Sequence, residues 1–172
     1  MKLLTHRSNW LLGMLVILAV LLAAGSAPAQ NANADQAAGI RDRIRDLMET
    51  SRQEWHKGYD AALRADRGGG ASAEADKEIA YQAAGAAEEQ ALMHAEQAGP
   101  VAEALYWREK QQTLREQRDR WPAGAPAFDS ATDLIDNYGD KAFAKLMEAQ
   151  RGAATDPEMR QQLHDYYREE AA

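Results

Sequence analysis

Large aliphatic side chains are too scarce in this chain to build an ordinary globular core. Beyond Ala29 only 15 residues are Leu, Ile, Val or Phe, whereas 31 are alanine. A share that far below a fifth, with strong net charge, is the composition of chains that struggle to fold alone. Alanine, glutamate, glutamine and arginine nevertheless favour helix, because they lose little side-chain freedom in it. Each missing methylene forgoes about 0.8 kcal/mol of burial. The composition therefore points to helices in close contact, or to helices completed by a partner, and not to a thick core.

The N-terminus reads as an export signal. Lys2 and Arg7 form a basic start, Trp10 to Gly25 an apolar run, and Ala27-Pro28-Ala29 a small-x-small cleavage site. At 1.5 Å per residue that run falls short of the roughly 20 residues needed to cross a bilayer. Cleavage after Ala29 is therefore expected, giving a periplasmic or secreted protein with no membrane attachment after processing. An uncleaved anchor holding a coiled-coil spacer is the alternative. The expected layout is a signal at 1–29, a flexible polar segment at 30–36 and one helical domain at 37–172.

The mature 143 residues carry a formal charge of −9. Nucleic-acid binders present a basic face, so that class is excluded. There is no cysteine, which excludes disulfides, thiol chemistry and covalent haem attachment.

Periodicity predicts helices throughout. From about Ala37 to Asp66, Ile40, Ile44, Leu47, Met48, Trp55, Tyr59, Ala62 and Leu63 fall on one face. Gly68-Gly69-Gly70 breaks the chain. The next helix, opened by Ser72, carries a seam of Ala80, Ala84, Ala87, Ala91, His94 and Ala98, suited to close antiparallel packing. Gly99-Pro100 ends it and starts another, on which Trp107, Leu114 and Trp121 recur by sevens. Ala104, Gln111 and Arg118 fill the alternate positions, suggesting one wet edge. Trp121-Pro122-Ala123-Gly124-Ala125-Pro126 forms the clearest loop, with a helix boundary near 122–129. Ser130 to Asp133 fits a capping box for a fourth helix with the face Leu134, Ile135, Tyr138, Ala142, Phe143, Leu146 and Met147. Gly139 is placed to bend or split it. Thr155-Asp156-Pro157-Glu158 reads as a second capping box, opening a short last helix. The fold class is all-α, a four- to five-helix bundle or an elongated array of helical hairpins after the signal helix.

No catalytic constellation emerges. His56, His94 and His164 lack the Glu-x-x-His spacing of di-iron bundles. The only same-face pair is His56 with Asp60, which reads as a surface pair, with a metal or ligand site as the alternative. Glu88-Glu89 and Glu169-Glu170 point apart on a helix and read as solvated surface. The triple glycine lacks the Lys-Ser/Thr of a phosphate loop. No enzyme, cofactor or metal is expected.

Ala95 to Trp107 resembles the junction of two tetratricopeptide repeats, but no copy follows 34 residues away. Thr113-Leu114-Arg115-Glu116-Gln117 resembles the Leu-Thr-x-x-Gln motif of periplasmic stress chaperones, with its first two residues inverted. Neither covers enough chain to name a family. The functional expectation is a non-enzymatic helical interaction protein: an adaptor, a chaperone-like binder or a subunit of an envelope-spanning assembly. Its partner would be an envelope protein or a second copy. Trp107, Leu114, Trp121 and Arg118 are the candidate interaction surface. The mildly basic residues 108–120 read as a solvated face, or as one able to pair with the acidic C-terminal helix.

Overall fold

The computed structural model describes the backbone of residues 5–120 and 126–171, and side-chain environments for 35–120 and 128–171. The segment expected to be an export signal and Trp121 lie outside the residues whose side chains are described. Five α-helices follow in order: α1 (Thr5–Arg64), α2 (Gly70–Ala98), α3 (Pro100–Arg118), α4 (Pro126–Ala153) and α5 (Pro157–Glu170). Among the described residues there is no strand. Residues 30–36, expected to be irregular, are helical within α1; two alanines lie there, and extending an existing helix costs far less than starting one. Residues Ala37–Ala172 form one compact unit.

Within that unit the helices alternate in direction. The α1–α2 pair is antiparallel: Ser51 meets Glu88, Gly58 meets the Tyr81 ring and Arg64 meets Asp76. At the turn between them, Ala65–Gly69 is π-helical, with Gly68 at φ 94° and Gly70 at φ 66°. The two helices approach closely because Gly58 has no side chain. A Cβ there would lie 2.6 Å from the Tyr81 ring. The alanine seam of α2 is buried, through Ala73, Ala80, Ala84, Ala87, Ala91 and Ala95. It leaves the expected register at its end, burying Ala95 instead of His94. A straight helix of 3.6 residues per turn drifts off a strict seven-residue repeat.

Gly99 turns the chain from α2 into α3 at φ 97°, ψ −171°, a region open in practice only to glycine. Its N–H donates to the Ala95 carbonyl at 3.0 Å. Gly99→Ala is expected to cost about 1–3 kcal/mol in denaturant unfolding. The same change at Gly85, mid-helix with open space at its Cβ position, should stabilise by about 1 kcal/mol. Equal effects at the two sites would show that the turn is not strained by a side chain.

Three helix starts differ from expectation: α2 begins at Gly70, with no side-chain cap from Ser72. Ser130 lies inside α4, which begins at Pro126, because proline suits the first turn. Accordingly the Thr132 hydroxyl bonds back to the Phe128 carbonyl at 3.0 Å. At α5 the cap is Asp156, not Thr155: its carboxylate accepts from the Glu158 and Met159 N–H groups.

The core joins all five helices. Ile44, Leu47 and Met48 of α1, Ala91 and Ala95 of α2, and Val101, Ala102, Leu105 and Tyr106 of α3 meet Ala149 and Ala153 of α4 and Leu163 and Tyr166 of α5. Six of these thirteen are Leu, Ile, Val or Met, so few residues carry most of the aliphatic bulk.

Candidate functional site

The charges of α3 explain its position. Arg108 pairs with Glu170 of α5 at 2.6 Å, Lys110 with Glu88 of α2, and Glu109 with Arg52 of α1 at 3.2 Å. Glu103 reaches Lys145 of α4 at 2.9 Å. Successive helical residues point about 100° apart, so neighbouring charges reach different helices. The solvated-face reading of this stretch is therefore corrected: α3 is the hub of the bundle. The same correction holds for Glu88 and Glu169, while Glu89 is exposed as expected. Glu88 is engaged by Lys110 and by the Ser51 hydroxyl at 3.2 Å. Glu169 accepts 2.7 Å bonds from both Arg41 and Arg45.

Two of these carboxylates move in opposite directions. Burial pushes Glu169 up, but the bonds from Arg41 and Arg45 outweigh it and hold the carboxyl below its usual value. Burial raises Glu109, and Arg52 and Arg45 only partly offset that.

The sequence-derived surface residues are distributed as follows. Trp107 is half-buried, stacked on Tyr138 of α4 with ring centroids 5.5 Å apart, and the Lys141 ammonium sits 4.2 Å from its ring centre. Arg118 lies over the Phe128 ring at 5.4 Å and bonds Asp119. Gln111, expected on a wet edge, donates its amide to the Ile135 carbonyl of α4 at 2.9 Å. Gly139 makes room for that amide, since a Cβ would lie 2.5 Å from it; α4 runs on without splitting. Trp107, Gln111 and Arg118 thus dock α3 on α4. Leu114 lies apart from them, at the base of a groove.

That groove has α3 as its floor, with α2 and α4 as walls and Trp55 of α1 behind. It encloses about 300 Å³. Tyr81, Gly85 and Glu88 line one side, Leu134 and Tyr138 the other, and Lys110, Thr113, Leu114 and Gln117 the base. Thr113 is 2% exposed and its hydroxyl has no hydrogen-bond partner. Sequence reading met Thr113 only in the inverted Leu-Thr-x-x-Gln resemblance, because a lone threonine between Gln112 and Leu114 carries no periodic signal.

A second feature is the outer flank of α4. Phe143 is 64% exposed and Met147, one turn on, is 39% exposed. His56 packs edge-on against Trp55, with centroids 5.5 Å apart, and its Nδ1 is buried without a partner; Asp60 is exposed and His94 half-buried. Among the described residues no three His, Cys, Asp or Glu side chains gather as metal ligands, and no helix is long and apolar enough to cross a membrane. No protein-family model, curated protein or solved structure matches this chain.

Proposed function

We propose that this is an exported, non-enzymatic helical interaction protein of the cell envelope, an adaptor or assembly subunit whose contact surface is the outer flank of α4. The observation that carries this reading is Phe143. A chain with two phenylalanines in all leaves this one largely in water, next to Met147. In a protein so short of apolar bulk, a large exposed side chain is costly to spare, and paired exposed apolar residues mark contact surfaces. Trp107 and Arg118 are engaged inside the bundle, which favours the α4 flank over them as the contact surface. Helix faces of this kind dock against a groove or helix of the partner through residues one turn apart.

A photo-crosslinking residue at Met147, introduced in cells, should give one discrete adduct with an envelope protein or with a second copy. Phe143→Glu should abolish that adduct while changing stability by no more than about 0.5 kcal/mol, as for ordinary surface substitutions. An adduct that survives Phe143→Glu, or none at Met147, would refute the proposal.

A further inference from the structure

The outer flank of α4 carries charge as well as apolar bulk, and the order of the two along the helix names one occupant. We infer that it docks on a second copy of this chain, α4 against α4, antiparallel about a two-fold axis. Phe143 then packs on the partner's Met147, and Asp140 pairs with the partner's Arg151. The inference rests on the reading of this flank as the contact surface.

At about 100° per residue, Asp133, Asp136, Asp140, Phe143, Met147 and Arg151 fall within about 80° of the circumference of α4. All six are exposed. The stripe is acidic toward the N-terminus, apolar in the middle and basic toward the C-terminus. Such an order is its own complement once one copy is reversed, the condition for a two-fold contact between identical surfaces. The register agrees too. The midpoint of Phe143 and Met147 coincides with that of Asp140 and Arg151 to within half a residue, about 0.8 Å along the helix. One axis therefore serves both contacts.

These charges are not spent inside the chain. No ion pair joins Asp136, Asp140 or Arg151 to another described residue, whereas nearby Lys145 is held by Glu103 and Glu148. The helix dipole favours a base in the last turn, but it acts only within a turn of each end. It does not account for Asp136 and Asp140, ten and fourteen residues beyond Pro126. One helix per protomer is a small contact, so the pairing is reversible.

Sedimentation equilibrium of the protein purified from cells should show a dimer with a dissociation constant on the order of 10 μM, weakened by salt. Asp140→Arg and Arg151→Asp each place like charges in both pairs, and each alone should weaken the dimer at least about tenfold. Mixed in equal amounts, the two variants supply the charges that each other lacks. The mixture should return to within about twofold of the wild type, a recovery that two damaged folds would not show. A wild type still monomeric at about 1 mM, or variants that stay weak when mixed, overturns the self-pairing. A Met147 cross-link to a different protein would then keep the flank as the contact surface and change only its occupant. No adduct at Met147 removes both.

Discussion

Glu169→Ala is expected to lower stability by about 3 kcal/mol, the scale for leaving a buried charge without its partner. One carboxylate serves two arginines, Arg41 and Arg45, each at 2.7 Å. Arg41 is the vulnerable one: its side chain is 6% exposed, and removing Glu169 strands its charge away from water. A drop in melting temperature on the order of 10 °C should follow. The effect has a pH signature. Glu169 titrates below its unfolded value near 4.5, so its contribution is complete above that pH and is lost as pH falls through the folded value. Glu109 runs the other way. Its raised value favours the fold at low pH, and that contribution fades as pH rises through it. The stability gap between the wild type and Glu169→Ala isolates the first group. It should be constant above about pH 5 and narrow below about pH 4. A gap below about 1 kcal/mol at neutral pH would place the clamp among ordinary surface pairs.

Leu105→Ala should cost roughly 3 kcal/mol in denaturant unfolding. Leu105 is fully buried on α3, within the cluster that joins all five helices. Alanines supply close approach between backbones but little volume, so few side chains share the work of filling the centre. Leu105→Met keeps most of the volume and should lose less than about 1.5 kcal/mol. A loss below about 1 kcal/mol for the alanine variant would mean that the alanine contacts hold the helices together without it.

Much of the helical plan was readable from local chemistry. Three glycines at 68–70, Gly99-Pro100 and Pro157 in a first turn each end or begin a helix by a rule that involves only neighbouring residues. Partner choice was not readable. On α3, Arg108, Glu109 and Lys110 look like a solvated run, and only the assembled bundle shows them reaching α5, α1 and α2. The α4 face was legible as apolar but too wide for one helix to bury: Ile135 and Ala142 turn in, while Leu134, Phe143 and Met147 are left outside. The groove was invisible for a related reason. Its lining comes from four helices, which no local pattern brings together.

The Arg41–Glu169 bond spans 128 positions of sequence. A ribosome delivers Arg41 long before Glu169, so α1 must wait for its clasp until α5 has been made. Long-range closure of this kind slows folding. In the exported protein proposed above that delay is useful: the bundle cannot lock before the helix bearing its latch has arrived.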